Sequence, residues 1–323
     1  MTDHTTLQPK ASQPEFFNGK LVLQSLESIF DEIYLVGGAV RDMLLGRDSP
    51  DLDFATPALP GDIQKTLENE GLKTYLAGKN YGTIGTKIGP FYVEITSFRA
   101  EKYHEESRNP DVKFGVSLKT DLARRDFTMN AMAYSHTRLV DPFDGQADIQ
   151  NRLIRAVGDA EEKFYDDPLR ILRLFRFASQ LGFEPEQYTL EAARHTVPAI
   201  KKVSNERIRS EFEILLQGTF WINAVEDLVS SGVLQATFPE QYSFAALETE
   251  QLQEQLARYA FEELREMSIM DKWALLIRAS FEAVQAEWGD DPDLLTFDGV
   301  SDRLGWSKKT IAALGERVAV AEF

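Results

Sequence analysis

The spacing of the apolar residues changes near position 150, and that change limits what the chain can fold into. From Ile149 onward they recur at helical spacing, as in Leu169, Leu172, Leu174, Phe175 and Phe177, and again in Ile208, Phe212, Leu215 and Leu216. Upstream, short apolar runs alternate with glycine-rich breaks. Residues 33–36 read as a buried strand, and Leu52 and Phe54 alternate with Asp51 and Asp53 as in a half-buried one. Further strands are expected at 73–76, 82–88 and 91–96, with helices at 21–30, 39–45 and 62–69. Beyond the change, helices are expected at 224–234, 252–267, 272–284 and 309–320. Residues 99–115 are charged and poor in apolar side chains, which predicts a mobile loop. The expected class is α+β. Residues 1–18 read as a disordered lead-in, 19–148 as a head of mixed sheet and helices, 149–217 as a helical neck, and 218–323 as a helical body and tail.

Composition excludes several chemistries. The chain has 323 residues and no cysteine, which removes disulfides, thiolate catalysis and cysteine-held zinc. Its four histidines, His4, His104, His136 and His195, are scattered without metal-ligand spacing, which argues against a metal-dependent phosphohydrolase. No apolar run reaches the roughly 18 to 20 residues a membrane span needs, and the polar N-terminus lacks the order of a signal peptide. A soluble cytoplasmic protein is expected. A net charge of −17 opposes nonspecific binding to nucleic acid. The acidity is concentrated late, with 19 acidic against 8 basic residues in 218–323. A site for a polyanion is therefore expected in the first two thirds.

Asp51 and Asp53 bear the chemistry. Two apart on a strand, their side chains leave the same face and converge. Carboxylates that close repel unless a cation lies between them. Hard oxygen ligands with open positions suit Mg2+, its shell completed by waters and substrate phosphates. Two such ions clamp the attacking and leaving oxygens of a nucleotidyl displacement. The plain alternative is a solvated turn. Gly37-Gly38 weighs against it, because such a turn after a buried strand lets backbone N–H groups approach a triphosphate at a helix N-terminus. Arg41 lies just inside that helix, where it adds a charge-assisted contact. The spacing matches neither G-x-G-x-x-G nor G-x-x-x-x-G-K-[ST]. Glu94 is the candidate third carboxylate, on a strand whose Val93 and Ile95 face the other way; its alternative is a salt bridge to Arg99 or Arg41.

The stretch 35–56 (LVGGAVRDMLLGRDSPDLDFAT) resembles the first motif of class II tRNA nucleotidyltransferases and bacterial poly(A) polymerases, members of the DNA polymerase β-like nucleotidyltransferases. The resemblance implies metals on Asp51 and Asp53, triphosphate on Gly37, Gly38 and Arg41, and an orienting role for Asp42. Residues 121–133 are similar to the family's R-R-D-F-T-x-N-A motif, which implies ribose recognition around Arg124, Arg125, Asp126, Thr128 and Asn130. Taken alone, that cluster could be a helix cap. Residues 141–145 resemble the family's hinge turn. In 166–177, Arg170, Arg173 and Arg176 recur every three residues as a stripe on one helical face, by itself a common solvated pattern. The resemblance implies instead that Asp167 and Arg170 pair with the base edge of the incoming nucleotide, so that protein replaces a template. A carboxylate accepts from the amino group that C and A carry, and the guanidinium donates to a ring nitrogen or carbonyl. Asp166 stands where some members have Glu. Residues 205–211 resemble the last motif, with Glu206, Arg207 and Glu211 expected in structural salt bridges.

Carried over, the resemblance implies addition of C-C-A to the 3′ end of tRNA from CTP and ATP without a template. The head would be catalytic and the neck would select the base. Residues 218–323, where the resemblance is weak, would hold tRNA. A-only and poly(A) addition share these motifs. Residues 99–115 resemble the segment needed to switch from C to A, which disfavours CC-only addition, and no basic stretch of the poly(A) polymerase kind follows the first motif. An inactive RNA-binding protein on the same fold is the reading from another class; the mutually repelling Asp51 and Asp53 oppose it.

Overall fold

A computed structural model of the chain describes residues 18–78, 82–104, 107–136, 138–238, 247–288 and 306–320. The expected lead-in lies almost wholly outside them. The chain forms two compact units, the first closing at Gly158 and the second opening at Asp159.

The first unit is built on a seven-stranded sheet. Its strands are β1 (Tyr34–Val36), β2 (Leu52–Thr56), β3 (Thr74–Gly78), β4 (Thr83–Ile88), β5 (Phe91–Ser97), β8 (Ala133–Ser135) and β9 (Arg138–Val140), in the order β3-β4-β5-β2-β1-β8-β9. β2 and β5 run parallel, and the other neighbouring pairs run antiparallel. Among the described residues five α-helices accompany the sheet: α1 (Asn18–Glu27), α2 (Gly38–Leu44), α3 (Pro60–Asn69), α4 (Leu118–Ala123) and α5 (Gly145–Asn151).

The two faces of this sheet differ. Leu35, Leu52, Phe54, Ile84, Val93 and Ile95 share one face and are almost fully buried. Helix α1 closes on it at Gly19, where a side chain would run into Leu35, and α3 crosses β3, β4 and β5 with Ile63 and Leu67 buried. The opposite face is covered over only part of its width. There Tyr34, Val36, Ala55, Phe98, Leu122, Ala131, Ala133 and Val157 form a core cluster. Toward β5, β4 and β3 the side chains of Glu94, Tyr92, Lys87 and Tyr75 on that face are exposed.

Residues 99–115, expected as a loop, form an antiparallel hairpin instead. β6 (Arg99–His104) pairs with β7 (Ser107–Phe114) from Arg99 opposite Phe114 outward, and its tip at 105–106 lies outside the described residues. A two-stranded ribbon is held mainly by main-chain hydrogen bonds. It needs little apolar surface, so alternation in the sequence did not announce it.

The described residues of the second unit are mainly helical, with one two-residue strand at Glu184–Pro185: α6 (Ala160–Asp166), α7 (Leu169–Leu181), α8 (Gln187–Thr196), α9 (Asn205–Gln217), α10 (Trp221–Ser230), α11 (Val233–Thr237), α12 (Thr249–Leu256), α13 (Phe261–Glu266), α14 (Ile269–Trp288) and α15 (Lys308–Val320). Phe212 is its aromatic centre, with ring centroids 5.7 Å from Phe238 and 5.6 Å from Trp273. Two expected helices are each divided. Gly232, at φ +73, separates α10 from α11 within 224–234. Within 252–267 the chain breaks before Phe261, and the Ala260 N–H donates to the Glu263 carboxylate (2.8 Å). Two buried cations close helix C-termini: Lys272 Nζ donates to Leu216 O of α9 (2.6 Å), and Arg278 to Arg317 O and Val318 O of α15. No helix among the described residues is long and apolar enough to cross a membrane.

Candidate active site

The parallel pairing of β2 with β5 assembles the carboxylates. Asp53 and Glu94 are direct register partners, and paired residues leave a sheet on the same side. Asp51, two before Asp53, joins them, and all three are exposed on the open face. Protein packed around the Asp53 carboxyl raises its pKa; Arg125 opposes that rise and Asp51 adds to it. The Glu94 carboxyl is likewise raised, by desolvation first and then by Asp53 and Asp51. Neither alternative partner takes Glu94, since Arg99 pairs with Glu101 and Arg41 with Asp42. The desolvation and repulsion that raise Asp53 and Glu94 are what a divalent cation on their hard carboxylate oxygens would relieve. Among the described residues no three His, Asp or Glu side chains enclose a metal ion by themselves. Asp51 and Asp53 would thus hold part of a coordination shell that water and phosphate oxygens complete.

The glycine turn lies beside them on the neighbouring strand. β1 ends at Val36, Gly37 adopts φ +72, and α2 starts at Gly38. Two features bear on Gly37. Its backbone lies in the left-handed region, and a Cβ there would come within 2.9 Å of the Arg125 guanidinium. Arg125 therefore packs against the turn while its charge acts on Asp53. Its Nη2 reaches Asp121 at 3.4 Å, and its buried Nε has no hydrogen-bond partner. Arg41 points into the unit. Asp42 takes a bidentate grip on it (2.9 and 3.0 Å), Arg41 Nη1 donates to Asn130 Oδ1 (2.8 Å), and Asn130 Nδ2 donates to Asp126 Oδ1 (3.1 Å). Asp42, Arg41, Asn130 and Asp126 thus form one buried chain. Thr128 belongs to a second link, donating to Asp148 (2.6 Å).

Sequence reasoning missed the support beneath the arginine pair. Asp121, fully buried, accepts from Arg124 Nε (3.0 Å), from Arg125 and from the backbone N–H of Arg99 (3.1 Å). Glu101 on β6 accepts from Arg99 Nε (2.8 Å) and Arg124 Nη1 (3.1 Å). Burial alone would raise the Asp121 pKa, but Arg124 and Arg125 together hold it below the ordinary value. The i,i+3 and i,i+4 spacing of Asp121 to Arg124 and Arg125 was the available signal. The share of Glu101 emerges only once 99–115 is a hairpin.

In the second unit, Asp167 sits between α6 and α7. One oxygen accepts the Leu169 N–H (3.3 Å), and the carboxylate pairs with Arg207 of α9 (3.0 Å). Arg170, largely buried, donates to Lys163 O (3.1 Å). Arg176 pairs with Glu211 (3.1 Å), with Arg173 at 4.0 Å from the same carboxylate. Both guanidiniums lie over the Phe177 ring, at 4.3 and 5.4 Å from its centre. Arg207 and Glu211 thus form the salt bridges expected of them, Glu206 forms none among the described residues, and Arg173 and Arg176 are anchored from α9.

The mixed sheet, with two aspartates beside a Gly-Gly turn, has the fold of a polymerase β-like nucleotidyltransferase. Residues 33–155 match the Poly A polymerase head domain, and residues 182–244 match the probable RNA and SrmB-binding site of polymerase A. The CCA-adding enzyme of Geobacillus sp. (strain WCH70) is 42% identical over 214 residues, 66% of this chain and 52% of that protein. That of Streptococcus suis (strain 05ZYH33) is 38% identical over 267 residues, 81% of this chain and 63% of that protein. A crystal structure of the Bacillus stearothermophilus CCA-adding enzyme in complex with CTP has 31% identity and a TM-score of 0.70, covering 97% of this chain and 71% of that one. The chain belongs to the family of CCA-adding enzymes and bacterial poly(A) polymerases. It spans between 52% and 63% of the length of these two curated relatives.

Proposed function

We propose that the chain adds C-C-A to the 3′ end of tRNA from CTP and ATP, without a template and with Mg2+ as its metal, in the cytoplasm. The observation that carries this reading is the register pairing of Asp53 with Glu94, beside Asp51, on a sheet whose next strand leads into Gly37-Gly38. The RNA 3′-hydroxyl attacks the α-phosphorus of the nucleotide, a new P–O bond forms, the α–β bridge breaks, and pyrophosphate leaves. When bound, Mg2+ supplies charge neutralisation of the phosphates and of the developing oxyanion. Asp51 and Asp53 hold it. Gly37 and Gly38 give backbone N–H groups to the triphosphate, and Arg125, packed on the turn with a free Nε, adds positive charge there. Arg41 is fixed by Asp42 and braces Asn130 and Asp126 for the ribose, while Arg124 steadies the pair from below. Glu94, the exposed register partner of Asp53, is the carboxylate placed to accept the hydroxyl proton.

In the second unit, Asp167 and Arg170 read the base edge, and Arg173 and Arg176 continue the cationic stripe beside them. On this reading 19–148 is the catalytic head, 149–217 the base-selecting neck and 218–323 the tRNA-holding body and tail. The test supplies each labelled nucleotide separately with tRNA lacking CCA, tRNA ending in CC, and a generic RNA. Stepwise C, C, then A on the first substrate is expected. Incorporation of A alone into the second would assign A-only addition, and runs of A on generic RNA would assign poly(A) synthesis.

A further inference from the structure

The open face of the sheet does not end at the carboxylates. The row Asp53–Glu94 continues by register to Gly85 on β4 and Tyr75 on β3. The adjacent row on the same face carries Tyr92 of β5 paired with Lys87 of β4. Tyr92 is 66% exposed and Tyr75 44%, high values for large aromatic side chains. The Tyr75 ring lies over Gly85, where any side chain would collide with it. The Lys87 ammonium stands 5.3 Å from the centre of the Tyr92 ring. Lys73, just before β3, adds a second exposed cation. The chain is acidic overall, yet this flank pairs two exposed rings with two ammonium groups.

We propose that Tyr75, Tyr92 and Lys87 form the platform on which the single-stranded 3′ end of the acceptor RNA lies, its unpaired bases stacked on the tyrosines and a phosphate held by Lys87. The inference rests on the nucleotidyl transfer proposed above and follows from its geometry. In-line displacement requires the nucleophile and the leaving pyrophosphate on opposite sides of the α-phosphorus. The triphosphate end belongs at Gly37-Gly38, at the end of β1. The strand order β1-β2-β5-β4-β3 then puts the attacking 3′-hydroxyl on the Glu94 flank, and the RNA leading to it over β5, β4 and β3. Tyr75 is two strand spacings beyond Glu94, roughly 10 Å, within the reach of the last nucleotides. Aromatic rings with a nearby cation are the chemistry that binds unpaired bases without reading them, as an end that changes with every addition requires.

The experiment uses the full chain, CTP and tRNA lacking its CCA, with KM and kcat measured for each substrate. Tyr92→Ala and Lys87→Ala, both surface changes, should raise KM for RNA roughly 5- to 100-fold, as the loss of one stacked base does, and leave KM for CTP unchanged. Tyr92→Phe, which keeps the ring, should restore the RNA value. A merely structural role would not divide the two substrates in this way. Binding of a fluorescent single-stranded RNA to the same variants decides the platform even if the wild-type chain transfers no nucleotide. Unaltered RNA affinity in the Tyr75→Ala, Tyr92→Ala double variant would overturn the platform and leave the carboxylate site standing.

Discussion

At the scale of single residues, three acids illustrate how unequally a sequence reveals its chemistry. Asp51 and Asp53 were legible because alternation on a strand is a local rule, and two repelling carboxylates invite a cation. Asp51→Ala should abolish incorporation of both CTP and ATP while circular dichroism and melting stay native; near-normal incorporation would remove the metal assignment. Asp121 was harder to read. Its weight depends on Arg99 and Glu101 arriving from a hairpin that the sequence did not announce. Asp121→Asn leaves two guanidiniums facing an amide in the interior, a change that costs about 3–5 kcal/mol when a buried pair is broken. Urea unfolding at neutral pH should show that loss. The Asp121 pKa is lowered in the folded state, so its stabilisation is complete above the ordinary value of 3.8 and is lost as pH falls below it. The gap between wild type and variant should therefore close in acid, and a gap independent of pH would show that the ion pairs contribute nothing.

At the scale of elements, the turn between β1 and α2 shows what a motif contains beyond its letters. The glycine pair and the helix after it were readable, as were most strands of the sheet. The packing of Arg125 on Gly37 was not, since it joins residues 88 positions apart. Gly37→Ala faces a left-handed backbone, which costs about 1–2 kcal/mol, and also pushes on Arg125. Calorimetry should register the first effect, and a raised KM for both nucleotides the second. A variant with ordinary KM would separate the turn from triphosphate binding. The segment from α6 to α7 carries the other element-scale prediction. Asp167 and Arg170 are held by Arg207 and by Lys163 O respectively, so replacing both should relax nucleotide choice without unfolding the helices. Continued rejection of UTP and GTP would end the template role. The single helix expected over 252–267 failed for a local reason, because periodicity does not register a break that a backbone N–H and a glutamate carboxylate can cap.

At the scale of the molecule, the division into an α+β unit and a helical unit was visible in the change of apolar period alone. The parallel neighbours β2 and β5 were not, because strand order is set by crossovers that leave no periodic trace. The charge of −17 also acts globally. A chain so acidic repels RNA on balance, so few phosphates should be neutralised at once, and the logarithm of affinity against the logarithm of salt should have a slope of only about −1 to −3, at roughly −0.7 per single-strand phosphate. A slope much steeper would mean a basic surface larger than the described residues contain. The β2–β5 pair also sets an order of events in time. Parallel strands cannot be joined by a tight turn, and the connection here spans α3, β3 and β4 before β5 returns to lie against β2. Distant pairings of this kind are late and slow in folding. Asp53 and Glu94 are therefore strangers until the crossover is complete, and a refolding chain should regain its tryptophan burial before it gains the divalent-ion affinity proposed for that site.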